Sequence, residues 1–405
     1  MNRHNIRAHT ILFTEDCPLD CRYCQLKLES DYNTCQGQSF EEILAKIHQY
    51  DIQDKEDNVE TQLTFTGGEP FLYWEWIKKI IEQYQHRFIY HFNTSGYCFT
   101  KEILEFLSHY QVYFTLSIDG GEKLTNYLRP VKGHPGGVGY FQKIQQIAPY
   151  LTYYFPQVVC KLIINNRYTD LLYQTYLDME KLGFKFITLI LDFNARPHIE
   201  GTSKQIQRVW NDEDTKILQE QIDLILEEII LGFSQGLQRT QITNINSIMS
   251  FLLSKTDNYS PDNLVCNVFK GRTLETLQNP NERHCFEGSF STLEQAKQAL
   301  IDEFNSLNGK CPLDNECPAF LYCANTNCPI SSFQATKTYF GADSLECILA
   351  KISYEAAIKI LTICNEICPN SPAYIHYLNS FNYSGKKEEI DNGSNSFLSL
   401  QPNQC

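Results

Sequence analysis

The chain has 405 residues, 42% of them hydrophobic and 20% charged, with a formal net charge of −14 and 16 cysteines. That length accommodates about two to three domains with sizeable cores, and the acidic balance excludes a nucleic-acid backbone as the main partner. No apolar run reaches the roughly 18 residues of a membrane span, so no membrane partner is expected. The short apolar stretch near the N-terminus reads as a strand rather than a secretory signal. A cytoplasmic location follows, and in a reducing compartment this many thiols read as metal ligands rather than disulfides.

In chain order, short β-branched or aromatic runs predict strands at His9–Thr14, Gln62–Thr66, Phe88–Asn93, Val112–Ile118, Val158–Ile164 and Phe186–Leu191. Helical patterns alternate with them. The first starts at Ser39, with Glu42 three residues on as a capping box. Others cover Leu72–Gln85, Lys101–His109, Tyr140–Ile147 and Tyr168–Leu182, the last stopped by Gly183. Six βα units in series imply a parallel sheet with right-handed crossovers, and functional residues then gather at the C-terminal strand ends. A long amphipathic helix is expected over Asp212–Phe233, followed by a cysteine-rich region and a polar tail.

Immediately after the first strand stands Cys17-Pro-Leu-Asp-Cys21-Arg-Tyr-Cys24. Three thiolates on one loop can bind three corners of a cubane and leave one iron open to a cosubstrate. A zinc site is the alternative reading of the same spacing. Gly67-Gly68-Glu69-Pro70 follows the second strand, where glycines admit close backbone approach and a carboxylate can accept from an ammonium. Asn93 ends the third strand and Ser117-Ile118-Asp119 the fourth, with Arg129 in the loop beyond.

The Cys-x3-Cys-x2-Cys loop with Tyr23 before its last cysteine, followed in order by these motifs, resembles the radical SAM superfamily. The resemblance implies a partial (β/α)6 TIM-like barrel and a [4Fe-4S] cluster on Cys17, Cys21 and Cys24. It further implies S-adenosylmethionine on the open iron, cleaved to a 5′-deoxyadenosyl radical that abstracts a substrate hydrogen. By the same resemblance Glu69, in the Gly67-Gly68-Glu69-Pro70 motif, would take the methionine amino group and Ser117 and Arg129 the carboxylate. Asn93 would take the ribose, and Tyr23 would lie against the adenine. Asp119 and Arg129 can alternatively form a structural ion pair.

Farther on, Cys266, Cys285, Cys311, Cys317, Cys323, Cys328 and Cys347 resemble a SPASM domain, the auxiliary-cluster extension of radical SAM enzymes acting on peptides and proteins. That resemblance assigns Cys266, Cys285 and Cys328 to a first auxiliary iron–sulfur cluster and Cys311, Cys317, Cys323 and Cys347 to a second. The first gap of the dense run is five residues instead of two, and Pro280 replaces an expected glycine. Both departures bear on the ligand partition, and a structural zinc knot is the alternative. The expected organisation is a barrel over 1–200, a helical connector over 201–260, an auxiliary-cluster domain over 261–370 and a flexible tail over 371–405.

The implied function is maturation of a ribosomally made peptide carrying a leader, most simply by forming a thioether or another intrapeptide crosslink. Formylglycine formation of the sulfatase-maturase type is the alternative within enzymes. A non-catalytic iron–sulfur carrier or a zinc scaffold is the alternative outside them. A low-potential donor such as flavodoxin or ferredoxin would supply electrons. About eight residues precede the first strand, so no leader-recognition domain is expected ahead of it. Asp192 and His198, near the end of the sixth strand, are candidates for a general base, with solvated loop residues as the default reading of both.

Overall fold

The computed structural model describes residues 6–24, 39–133, 139–192, 210–253, 293–326, 337–338, 340–341 and 344–381. The chain divides into two compact units, the first built from Met1–Gln221, Thr240–Thr243 and Val265–Lys297, the second from Ile222–Arg239, Asn244–Leu264 and Gln298–Cys405.

The first unit is an open, fully parallel sheet. Its strands are β1 (Ile6–Thr14), β2 (Glu60–Gly67), β3 (Phe88–Thr94), β4 (Val112–Ser117), β5 (Val159–Ile164), β6 (Phe186–Leu191) and β7 (Gln241–Ile242). Their spatial order is their chain order, and every neighbouring pair is parallel. Helices α1 (Phe40–Glu56), α2 (Trp74–Tyr84), α3 (Lys101–Leu107), α4 (Glu122–Leu128), α5 (Tyr140–Tyr154) and α6 (Leu172–Lys181) run between the strands. This is the expected partial barrel, wound in one direction so that all strand C-termini lie at one mouth.

Strand periodicity sorts the residues onto two faces. Leu63, Phe65, Phe92, Phe114, Leu116 and Leu162 are essentially inaccessible. Between them His91, Asn93, Thr115, Ser117, Lys161 and Thr188 are half-buried, which gives the barrel a polar inner wall. The buried face opposite that wall carries an aromatic cluster, with Phe71 edge-on to Phe99 at 4.7 Å and Phe92 stacked on Phe114 at 5.7 Å. Each such ring contributes roughly 1.5–3 kcal/mol by leaving water.

At the opposite end, Asp54 on α1 is fully buried and serves three partners. Arg7 Nη1 donates to it at 2.7 Å, Thr61 Oγ1 donates at 2.7 Å, and His9 Nε2 lies at 2.9 Å. His9 in turn stacks on Tyr50 with centroids 3.9 Å apart. This node pins β1 and β2 to α1 and belongs to stability, as the N-terminal face of a barrel usually does.

Helix α1 begins as read, with Ser39 and Glu42 forming a complete capping box. Helix α5 differs from expectation, continuing seven residues past Ile147 to Tyr154 with Pro149 inside it. Helix α4 and strand β7 were not expected.

Helix α7 (Asp212–Ser234) begins in the first unit and ends in the second. Helix α8 (Thr243–Leu253) belongs to the second unit but for its first residue, α9 (Leu293–Ser306) runs from the first unit into the second, and α10 (Phe320–Thr326), α11 (Ser344–Ile367) and α12 (Pro372–Asn379) complete the second. Part of the stretch expected as a flexible tail is therefore α12, capped by Ser371 and burying Ala373, Tyr374 and Tyr377. Among the described residues no helix is long and apolar enough to cross a membrane.

Candidate active site

The loop after β1 carries Cys17, Cys21 and Cys24, all half-buried and free. Its shape is set by the end of α4 and the loop that follows it. Asp20 N donates to Pro130 O at 2.7 Å, Arg22 N to Leu128 O at 2.9 Å and Lys132 N to Pro18 O at 2.8 Å. Leu19, 2% exposed, pairs with Val131 in an antiparallel bridge. Arg22 also donates through Nε to Tyr127 O at 2.7 Å and lies 4.2 Å over the Tyr127 ring. Residues 127–132 thus form a clamp on the cysteine loop, a role their sequence does not disclose.

Gly67 and Gly68 dock the end of β2 on the same loop. Gly67 has φ +123°, a conformation glycine adopts readily. Gly68 N donates to Thr14 O at 2.6 Å and Glu69 N to Asp16 O at 2.7 Å. A Cβ on Gly68 would stand 2.1 Å from Asp16 O, so what approaches this glycine is backbone of the cysteine loop. Pro70 is buried and opens a 3₁₀ turn over Pro70–Tyr73.

Glu69 itself is inaccessible. Its Oε1 accepts from Thr94 Oγ1 at 2.7 Å and Phe71 N at 3.2 Å, and its Oε2 from Ser95 N at 2.8 Å and from Ser95 Oγ. Burial pushes its carboxyl above the usual range against these donors. In this arrangement Glu69 ties the end of β2 to the end of β3.

Asp119, just beyond β4, is paired with Arg129. Arg129 Nε reaches Asp119 Oδ2 at 2.7 Å and Nη2 reaches Oδ1 at 3.0 Å. The structural ion pair weighed from the sequence is therefore present. The Tyr23 hydroxyl donates to the same Oδ2, and the Arg129 guanidinium lies 5.2 Å from the Tyr23 ring centroid. Arg129 Nη1 faces Cys21 Sγ at 3.9 Å.

Asn93 and Ser117 stand half-buried at the ends of β3 and β4, and among the described residues their side chains form no hydrogen bond. Tyr140, on α5, steadies these strand ends: its buried hydroxyl reaches Ser95 O at 2.5 Å and also Ser117 O. Asp192, at the end of β6, is 3% exposed and accepts from Asn165 Nδ2 at 2.8 Å, so it is not a solvated loop residue. His198 lies outside the described residues.

Two residues join this mouth without having been singled out. Lys161 on β5 pairs in register with Ser117, and burial together with Arg129 lowers its affinity for a proton. A lysine within an otherwise apolar strand was the signal available in the sequence. Cys98, beyond β3, lies within electrostatic reach of Glu69 and Cys17, and burial pushes its thiol up to about 12.

In the second unit Cys311, Cys317, Cys323 and Cys347 influence one another electrostatically. Cys311 and Cys323 are buried, and burial pushes the Cys323 thiol up to about 12. Lys351, four residues after Cys347 on α11, favours the thiolates of Cys317 and Cys347 and pairs with Asp314 at 2.8 Å. Cys266, Cys285 and Cys328 lie outside the described residues.

Among the described residues no three His, Cys, Asp or Glu side chains are gathered tightly enough to hold one metal ion. A cubane asks for something different, since each thiolate binds its own iron at a separate corner. The loop thiols fit that demand. They lie on a single loop, burial raises Cys17 and pushes Cys21 up to about 11, and iron would replace the protons that burial retains. The unpartnered Asn93 and Ser117 at the same mouth suit a polar cosubstrate.

Residues 11–138 match the family model of the radical SAM superfamily. They form a radical SAM domain. The chain therefore carries the domain of a radical SAM enzyme, and that family implies the [4Fe-4S] cluster and S-adenosylmethionine. The solved structures it resembles include native anSMEcpe with bound AdoMet and Cp18Cys peptide, at 16% identity and a TM-score of 0.63, covering 89% of this chain and 99% of that one. Streptococcus suis SuiB bound to precursor peptide SuiA matches at 12% identity and a TM-score of 0.52, covering 84% of this chain and 76% of that one. At such identities these likenesses speak to the fold. A comparison with curated protein sequences finds no match.

Proposed function

We infer that this radical SAM protein is a maturase of a ribosomally made peptide, working with two auxiliary iron–sulfur clusters in its second unit. The observation that carries the reading is the gathering of Cys311, Cys317, Cys323 and Cys347, which come from two helices and the loop before them. A cubane with four protein thiolates is closed to substrate and suited to electron transfer. Cys266, Cys285 and Cys328 would serve the other auxiliary cluster. The fold likeness to proteins crystallised with peptides supports a peptide substrate.

In the barrel, Cys17, Cys21 and Cys24 would hold the catalytic cluster. Bound there, the cluster and S-adenosylmethionine supply a carbon-centred radical able to take a hydrogen atom from the peptide. The protein's own part is placement. Asn93 and Ser117 would orient the cosubstrate's ribose and carboxylate, and Gly67 and Gly68 lock the Glu69 segment onto the cysteine loop. A flavodoxin or ferredoxin would deliver the electron, and an auxiliary cluster would accept the one released as a thioether closes.

Formylglycine formation is the second reading, and the likeness to anSMEcpe accommodates it equally. Mass spectrometry of a cysteine-bearing peptide after anaerobic turnover separates the two. A thioether keeps the sulfur and loses two hydrogens, whereas formylglycine loses the sulfur. The thioether reading expects the first product and no reaction on a Cys-to-Ala peptide. Equal modification of the alanine peptide would sink it.

A further inference from the structure

Arg129 has three nitrogens and two employers. Nε and Nη2 are taken side-on by Asp119 at 2.7 and 3.0 Å, the bidentate geometry that fixes a guanidinium best. Tyr23 closes the arrangement from one side, with its ring 5.2 Å from the guanidinium carbon and its hydroxyl on the same carboxylate. The side chain is 7% exposed. The remaining nitrogen, Nη1, stands 3.9 Å from Cys21 Sγ. Asp119 thus takes the side-on edge of the guanidinium, and Nη1, on the edge that remains, is directed at a cluster ligand.

We propose that Arg129 is a tuning residue for the iron–sulfur cluster, held by Asp119 and Tyr23 so that its charge and its Nη1 donor stabilise the reduced cluster through Cys21. This rests on the reading of Cys21 as a cluster ligand. Reduction adds a negative charge to a buried cluster. A fixed cation and a hydrogen-bond donor at a ligand sulfur favour that added charge and raise the potential. In a site of low effective dielectric the cation's influence is weakly screened.

The test is an EPR-monitored redox titration of the anaerobically reconstituted full chain without S-adenosylmethionine. The relevant signal is the one absent from a Cys17→Ala/Cys21→Ala/Cys24→Ala protein. Arg129→Gln should lower the reduced-to-oxidised ratio at a fixed poise at least tenfold, a shift of about 59 mV to more negative potential for a one-electron couple. Arg129→Lys keeps a charge without the fork and should shift less, in the same direction; it decides the matter if the glutamine variant assembles no cluster. Unchanged ratios in variants of full iron content, with only S-adenosylmethionine affinity lost, would overturn the proposal and make Arg129 a carboxylate ligand. Wild-type protein with no iron at the loop would overturn the underlying reading, and the iron count tells the two failures apart.

Discussion

Asp54 shows how much of this protein's residue-scale design is silent in the sequence. An aspartate in the last turn of an amphipathic helix reads as a solvated face, yet it is fully buried and bonded to Arg7, His9 and Thr61. Burial alone would raise its carboxyl. The bonds from His9, Thr61 and Arg7 outweigh burial and hold it below the usual carboxylate range. A depressed native value adds stability that is present above about pH 4 and is lost as pH falls through the native value. Asp54→Asn should therefore cost roughly 3 kcal/mol at pH 7, measured by urea unfolding. The gap from wild type should shrink as the pH is taken below 4. A gap that widened there would contradict the assignment. The cysteines and the Gly67–Pro70 motif were legible for the opposite reason: their chemistry demands those residue types at those spacings. Glu69 was legible as a site residue, whereas its bonds to Thr94 and Ser95 depend on where β3 ends.

At the scale of elements, strand positions were readable because a buried parallel strand is a continuous apolar run. All six expected strands are present, each within a few residues of its expected ends. Helix α5 was misjudged at its end. Proline removes one backbone bond and crowds the preceding turn, which argues for stopping near Pro149. The buried set Tyr140, Phe141, Ile144, Ile147, Ala148 and Leu151 nonetheless keeps helical spacing through it. Pro149 itself is exposed, so the carbonyl it orphans faces water. Tertiary burial overrides local propensity here. Pro149→Ala should then raise stability by about 1–3 kcal/mol without changing the fold, read as a higher thermal midpoint with unchanged circular dichroism. A lowered midpoint would show that the proline is part of the packing. The clamp of residues 127–132 on the cysteine loop was illegible, because pairing through backbone groups leaves no side-chain pattern.

For the whole molecule, the division of labour follows from topology. One-directional winding brings the ends of β1 to β4 side by side, and with them the cysteine loop, the Glu69 segment, Asn93, Ser117 and Asp119. The second unit was less legible. Cys323 and Cys347 ride on helices α10 and α11, neither of which was expected. The cysteine spacing also departs from the family's usual run, and helices can bring thiols together at spacings that loops would not need. The central claim is that the cysteine loop makes a radical SAM centre. It is tested most directly by measuring 5′-deoxyadenosine released from S-adenosylmethionine by the reduced, anaerobically reconstituted protein, with iron counted in the same sample. The account predicts release from wild-type protein holding about twelve irons per chain, and none from the Cys17→Ala/Cys21→Ala/Cys24→Ala variant holding about four fewer. Zinc in place of iron, or a full iron complement with no cleavage under strong reductant, would contradict it.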